Sequence, residues 1–153
     1  MKYELSSIFK GKVVIVGIGN VLKADDAFGP ELVRKLMEET GLFCIDAGTT
    51  PENYSGKIAR ENPDTIILLD AAHIGKNPGE WAIMEEDEIV KSGFTTHDLS
   101  PAVFIGYLKE KTNADIYLLG VEPENLSLGG EMSRSVKETI EKIVREMKEF
   151  YHA

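Results

Sequence analysis

The chain has 153 residues, enough for one hydrophobic core and too few for two ordinary domains, so we expect a single domain over residues 1–153. Its 42% hydrophobic and 28% charged residues exclude a disordered, a collagen-like or a disulfide-scaffold protein. The net charge of −9 gives a surface field that repels phosphate backbones and anionic lipid headgroups. We therefore expect no nucleic-acid partner and no insertion into a membrane.

The cysteine content and the N-terminal segment favour a cytoplasmic protein. Cys44 lies in the apolar stretch Leu42–Ile45, where we expect it to act as a small buried hydrophobe. A single cysteine allows no disulfide within the chain, which fits a reducing compartment. The first ten residues lack the apolar run of a signal peptide, and no stretch approaches the roughly 20 apolar residues of a membrane span.

Short apolar runs rich in β-branched residues predict the strands of a sheet. Four of these strands are predicted to be buried. A fifth candidate strand follows the turn-forming sequence Asn77–Pro78–Gly79 and is more polar at its ends, as an edge or antiparallel strand would be. The four buried strands are predicted at Lys12–Ile18, Leu42–Ala47, Thr65–Ala71 and Asp115–Val121, and the fifth at Glu80–Met84.

Apolar residues at helical spacing fill the gaps between these strands. The segment after Pro51 is predicted to form another short helix, and the acidic cluster Glu85–Glu88 a solvated loop. Strands that alternate with helices predict a three-layer α/β/α sandwich with a mostly parallel, twisted sheet of about five strands. The three helical stripes are Leu32, Val33, Leu36 and Met37 after Pro30; Leu99, Val103, Phe104, Tyr107 and Leu108; and Met132, Val136, Ile140, Ile143, Val144, Met147, Phe150 and Tyr151.

The first strand is followed by Gly17–Leu22, at the place where a dinucleotide-binding glycine fingerprint would lie. Leu22 occupies the position of the third glycine. Asp25 and Asp26 then follow where a diphosphate would need backbone donors and a positive field. We therefore expect no nucleotide here, and a sharply turning loop that presents an acidic side chain.

Acidic residues stand at or just after the ends of three predicted strands. They are Asp26, Asp46 and Asp70. In open α/β sheets ligands bind beyond the carboxyl ends of the strands. One aspartate at a strand end is most often a cap or a turn residue, but three at one edge favour a site.

Among the three histidines, His97 is the best candidate ligand because it lies in a Thr-rich polar segment before a predicted helix. His73, three residues after Asp70, could reach the same crevice or lie on the surface. His152 lies in the last turn of a helix, where the dipole accounts for it. Two carboxylates and an imidazole suit nickel, zinc, iron or manganese and leave coordination positions open. No His-Glu-x-x-His or Gly-x-Ser-x-Gly motif and no recognisable Cys–His signature is present, which disfavours an ordinary zinc, serine or cysteine protease.

Five segments in order resemble the maturation endopeptidases of nickel–iron hydrogenases, most closely the hydrogenase 3 (formate hydrogenlyase) type, and the resemblance covers nearly the whole chain. The segments are Gly17–Asn20 with Asp25–Asp26, Asp46–Asn53, Leu69–Ala72 leading to Asn77–Glu80, Thr95–His97 and Gly120–Pro123.

The resemblance implies that Asp26, Asp70 and His97 bind nickel and form the catalytic centre, with zinc or cadmium as substitutes. It implies an endopeptidase that removes the C-terminal extension of a hydrogenase large-subunit precursor after nickel insertion, the nickel being carried by that precursor. We expect the enzyme to be a monomer. The segment Asp46–Thr49 is expected to shape the peptide cleft, Gly48 allowing close backbone approach, or to be a simple tight turn.

How the bond is cut stays open at this stage. The metal could polarise the scissile carbonyl, lower the pKa of a water molecule, or only orient the tail. Our hypothesis is attack by metal-bound water. A chaperone that binds nickel through the same three side chains without hydrolysis is the alternative function.

Overall fold

The computed structural model describes residues 3–92 and 100–151. Short 3-10 turns supplement the regular elements at Leu5–Ile8, Ala24–Ala27 and Pro51–Tyr54. The strands are β1 (Val13–Ile18), β2 (Phe43–Gly48), β3 (Thr65–Ala71), β4 (Trp81–Glu85) and β5 (Asp115–Val121). The α-helices are α1 (Phe28–Glu39), α2 (Ser55–Arg60), α3 (Glu86–Ser92), α4 (Pro101–Lys111) and α5 (Arg134–Phe150).

The five strands form one sheet in the order β2-β1-β3-β5-β4. Strands β2, β1, β3 and β5 are parallel, and β4 pairs with β5 in the antiparallel sense at the edge. All five predicted strands are confirmed to within one residue at each end. The fifth is the antiparallel edge strand that its polar ends indicated.

Side chains that alternate along each strand enter two separate cores, because successive residues of a strand point to opposite faces of the sheet. Ile67 and Leu69 of β3 pack with α1 and α5 on one face. Ile66 and Leu68 pack with α2, α3 and α4 on the other face. All seven residues of β3 are buried, as expected for a central strand covered on both sides. The predicted three-layer α/β/α sandwich is confirmed.

Helices α1 and α5 carry the predicted apolar stripes, with one correction. Leu32, Val33 and Leu36 are buried in α1, but Met37 is 59% exposed, although the adjacent Leu36 is fully buried. In α5 the central residues of the stripe, from Val136 to Met147, are buried, and Met132 lies before the helix begins.

Helix α4 turns a different face to the sheet from the one predicted. The buried residues are Phe104, Ile105 and Leu108, whereas Val103 and Tyr107 are 44% and 41% exposed. Ser100 caps the helix by accepting the backbone N–H of Val103 on its side-chain oxygen. The apolar residues of α4 surround much of the helix, so spacing alone does not fix which face packs.

The acidic cluster Glu85–Glu88 is not a loop, contrary to the prediction. Glu85 ends β4, and the next three acidic residues form the first turn of α3. Negative side chains are favourable there because they face the positive end of the helix dipole. The short helix expected after Pro51 is confirmed as a 3-10 turn that runs directly into α2. Within residues 3–92 and 100–151, no helix combines the length and hydrophobicity needed to cross a bilayer.

Candidate active site at the carboxyl edge of the sheet

The sheet has its topological switch point between β1 and β3. The chain leaves β1 for β2 on one side, whereas β3 lies on the other side of β1. The two neighbouring strands run parallel, with Gly17 opposite Leu69 near their carboxyl ends. Connections that depart in opposite directions leave a crevice above this pair of strands, which is where open α/β sheets bind ligands. Asp26 lies in the loop that leaves β1 at this edge, and Asp70 lies at the end of β3.

Asp26 lies in the 3-10 turn Ala24–Ala27, between β1 and α1, and is only 6% exposed. Its Oδ2 accepts a hydrogen bond of 2.7 Å from the backbone N–H of Asn20. The turn packs against both β3 and α1. The loop that leaves β1 therefore folds back and fixes the carboxylate of Asp26 beside the strand ends.

Two glycines allow this turn to approach the sheet closely. Gly19 has φ +154°, and a Cβ atom there would overlap the backbone oxygen of Asp26. A Cβ atom on Gly29 would lie 2.5 Å from the carbonyl oxygens of both Ile18 and Leu69. The start of α1 thus rests directly on β1 and β3. Glycine is required at these positions because a Cβ atom would overlap backbone atoms of the neighbouring segments.

Asp70 is the penultimate residue of β3 and is 5% exposed. It stands opposite Gly120 of β5, one residue beyond the Gly17–Leu69 register pair. Two aspartates are therefore withdrawn from water at adjacent strand ends. Burying carboxylates is costly unless donors or cations compensate their charge.

Asp25, next to Asp26, has a structural role that the sequence did not indicate. It is fully buried, and its carboxylate accepts the backbone N–H groups of Glu124, Asn125 and Ser133 at 2.7–3.0 Å. The hydroxyl of Ser133 also donates to it. Asp25 therefore ties the acidic turn to the segment between β5 and α5.

Glu122, just after β5, fixes the loop that follows Asp70. Its carboxylate accepts the N–H groups of Ile74 (2.8 Å) and Lys76 (3.1 Å) and the Nδ1–H of His73 (2.9 Å). Burial acts to raise the pKa of Glu122, but the hydrogen bonds from His73 and the two backbone groups outweigh it, so the pKa lies below its ordinary value. The sequence marked Gly120–Pro123 as a motif without giving this carboxylate a role.

His73 lies on the surface, the second of the two alternatives left open from the sequence. Its side chain is 73% exposed and is held by Glu122. Because an ionised carboxylate can only accept a hydrogen bond, His73 carries a proton on Nδ1 in this contact. His97 and His152 lie outside the described residues.

Asp46 does not join the buried pair. It is exposed, and its Oδ1 accepts the backbone N–H of Gly48 at 3.0 Å. Gly48 has φ +56° with open space around it, so the segment forms the tight turn that was one of the two alternatives, and its part in a peptide cleft stays a prediction. Within residues 3–92 and 100–151, no three His, Cys, Asp or Glu side chains are grouped to hold a metal ion. Of the three ligands inferred from the sequence, the described residues include the two carboxylates, Asp26 and Asp70.

Cys44 is half-buried at the margin of the core on the α1 and α5 face. Burial raises the pKa of its thiol to about 12, so the side chain is uncharged at neutral pH. It serves as a small apolar residue, as expected, although its burial is incomplete.

The doubly wound fold and the acidic switch point define an α/β protein of the class that binds its ligand beyond the carboxyl ends of parallel strands. Residues 30–149 match the family model described as hydrogenase maturation protease. The chain belongs to the hydrogenase maturation protease family, a family of peptidases. A Methanocaldococcus jannaschii protein named for hydrogenase maturation is 40% identical over 123 residues, which are 74% of this chain and 73% of that protein. The hydrogenase 3 maturation protease of Escherichia coli K12 is 29% identical over 137 residues, 88% of this chain and 87% of that protein.

Solved structures agree with this membership. The crystal structure of a nickel–iron hydrogenase maturation protease from Thermococcus kodakarensis superposes with a TM-score of 0.84 at 36% identity, over 95% of this chain and 96% of that one. The solution structure of an Escherichia coli endopeptidase of the same type gives a TM-score of 0.79 at 27% identity, over 92% and 91% of the two chains. The fold and the family resemblance inferred from the sequence are both confirmed.

Proposed function

We propose that this protein is the endopeptidase that removes the C-terminal extension from the precursor of a nickel–iron hydrogenase large subunit, after nickel has been inserted into that precursor. Family membership supports the protease activity. The observation that carries the proposed site is the burial of Asp26 and Asp70 at the carboxyl ends of two adjacent strands. A hydrogenase 3 type precursor is the substrate that the Escherichia coli relative's name suggests.

We propose that the nickel arrives with the precursor and is contacted by Asp26, Asp70 and His97, with zinc or cadmium able to replace it. Carboxylate oxygens and an imidazole nitrogen match the ligand preferences of these ions. Two carboxylates withdrawn from water also favour a divalent cation, because its charge offsets the cost of their burial. The described part of the site thus fits a metal on chemical grounds.

A metal bound at this position would supply Lewis acidity, toward either the scissile carbonyl or a water molecule. The protein's own residues supply placement. The backbone N–H of Asn20 orients the Asp26 carboxylate, and the pairing of β3 with β1 and β5 fixes the backbone at Asp70. We propose that these fixed carboxylates hold the precursor's metal so that the peptide bond to be cut lies in the crevice above β1 and β3.

The decisive experiment measures intact masses of a purified large-subunit precursor, nickel-loaded and nickel-free, before and after incubation with the protein. Loss of a short C-terminal peptide from the loaded form alone is the expected result. Stoichiometric nickel binding by the protein, without shortening of the precursor, would instead favour the non-hydrolytic nickel chaperone.

Variants then test the three side chains. We expect Asp26→Asn, Asp70→Asn and His97→Ala each to slow shortening at least about 100-fold and to weaken zinc binding in calorimetry, because each removes one ligand. Asp115→Asn is the matched control, since Asp115 is exposed and begins β5, at the amino ends of the parallel strands and away from the candidate site. Unchanged shortening and unchanged zinc affinity in His97→Ala would remove His97 from the site.

A further inference from the structure

Two loops beside Asp26 carry large apolar side chains that the fold leaves in water. Val21 and Leu22, in the loop after β1, are 65% and 64% exposed, and Leu128, between β5 and α5, is 74% exposed. We call these three residues the apolar rim. Single exposed apolar residues are common on protein surfaces, but a group of them on adjoining segments marks an interaction site more often than chance placement does.

The two segments of the apolar rim are joined to each other by backbone hydrogen bonds. The carbonyl of Leu22 accepts the N–H of Gly129 at 2.7 Å, and the carbonyl of Asn125 accepts the N–H of Asp25 at 2.9 Å. The side-chain oxygen of Asn20 also accepts the N–H of Leu22 at 2.9 Å. None of these bonds uses the side chain of a rim residue, so they fix the loops whatever side chains Val21, Leu22 and Leu128 carry. Folding therefore does not account for the apolar character of the rim.

The apolar rim is continuous with the candidate active site. Asn20, which precedes Val21, donates its backbone N–H to the carboxylate of Asp26. A polypeptide that reaches Asp26 from this side must pass over the loop that carries Val21 and Leu22. Val21 also lines a groove of about 560 Å³ that continues between α1 and α5 past charged residues such as Arg34 and Lys137. An apolar centre bordered by charged groups is the usual composition of a protein–protein interface.

We propose that the apolar rim of Val21, Leu22 and Leu128 is the surface on which the body of the hydrogenase large-subunit precursor docks while its C-terminal tail lies at Asp26 and Asp70. This inference rests on the proposed function and names the part of the enzyme that binds the substrate outside the cleavage site. The rim acts on substrate affinity and not on bond cleavage, because its side chains lie outside the buried acidic pair.

The test uses a variant in which Val21, Leu22 and Leu128 are all replaced by Ser, with nickel-loaded precursor as the probe. We expect Kd for the precursor and KM for its shortening to rise at least about 30-fold, as for loss of an interface's principal apolar anchors. We expect kcat to stay within about twofold and zinc affinity to stay unchanged. The matched control is Met37→Ser, which removes an apolar side chain of similar exposure, 59%, from the last turn of α1.

A second variant, Leu22→Met, keeps an apolar side chain of similar size and should retain the wild-type KM, whereas Leu22→Ser alone should not. Thermal unfolding of each variant checks that the loops remain folded. Shortening by the triple variant with unchanged Kd and KM overturns the docking proposal and leaves the protease function intact.

Other outcomes separate the two proposals further. A wild-type protein that binds the precursor through the rim without shortening it refutes the endopeptidase and supports the docking surface. A wild-type protein that neither binds nor shortens the precursor refutes both. Self-association in light scattering that disappears in the triple variant, with precursor affinity unaffected, assigns the rim to a second copy of this chain and overturns the proposal.

Discussion

The buried carboxylate of Asp25 binds Ser133, 108 residues further along the chain, through both the backbone N–H at 2.7 Å and the side-chain hydroxyl at 2.8–2.9 Å. This contact joins the loop after β1 to the segment that leads into α5. Adjacent aspartates thus differ in their contacts: Asp25 assembles the loops, and Asp26 accepts the backbone N–H of Asn20. The placement of the candidate site depends on a carboxylate that takes no part in it.

Replacing Asp25 with Asn should therefore destabilise the fold, because the carboxylate that it removes is fully buried and hydrogen-bonded. The amide group would present N–H hydrogens to donors that now face a charged oxygen, so we expect the free energy of unfolding to fall by about 3 kcal/mol. Urea denaturation measures this. Asp115→Asn, at an exposed position, should change the value by less than about 0.5 kcal/mol. Equal stability of the two variants would contradict the anchoring role of Asp25.

Gly29 allows no side chain, because its α-carbon faces the backbone of both β1 and β3. We expect Gly29→Ala to lower the free energy of unfolding by about 3 kcal/mol, since backbone atoms on both sides cannot move aside. Gly106→Ala is the control: Gly106 lies inside α4 with open space around it, and the change should stabilise the helix by about 0.8 kcal/mol. Chemical denaturation measures whether each variant loses or gains unfolding free energy. Unchanged stability in Gly29→Ala would refute the close approach of α1 to β1 and β3.

Glu122 should make stability depend on pH in the acidic range. Its pKa is lowered in the folded protein, so its stabilising contribution is complete above the ordinary value of 4.5 and is lost as the pH falls through the lower, folded value. The difference in unfolding free energy between wild type and Glu122→Gln should therefore be larger at pH 7 than at pH 3. The control, Glu131→Gln, removes an exposed carboxylate and should change stability by less than about 0.5 kcal/mol. A difference that grows on acidification would contradict this sign.

Cys44 should resist thiol reagents while the protein is folded. With its pKa near 12, the thiolate fraction at pH 8 is about 1,000-fold below that of an ordinary cysteine, and partial burial slows access further. Reaction with Ellman's reagent should be at least about 1,000-fold faster in denaturant than in buffer. Cys44→Ser should give no signal in either condition. Rapid labelling of the native protein would show that the thiol is more accessible than its place at the core margin implies.

The strands and the acidic edge of the sheet could be predicted from the sequence because each depends on local pattern. The run Ile66–Leu69 is apolar throughout, and a strand buried on both faces needs that composition. The placement of Asp26 and Asp70 after such runs predicts that both lie at one edge, since parallel strands end at one edge. The inclusion of His97 in this site stays a prediction, because it lies outside the described residues.

Other features follow from contacts between segments distant in sequence. Met37, Val103 and Tyr107 fit helical stripes but remain exposed, because the extent of the neighbouring layers decides which apolar positions are covered. The anchoring role of Asp25 depends on donors about 100 residues away, and no local sequence pattern predicts them.

The sequence by itself therefore determined the order of strands and helices, the parallel sheet and the acidic edge. Burial and backbone conformation constrain the residue types within a short segment, so a local pattern predicts them. Only the tertiary structure decided that Asp25 anchors a loop, that Asp26 is bonded to Asn20, and that Glu122 holds the loop after Asp70. Hydrogen bonds of this kind form between groups that folding brings together, and their partners cannot be identified until the chain's path is known.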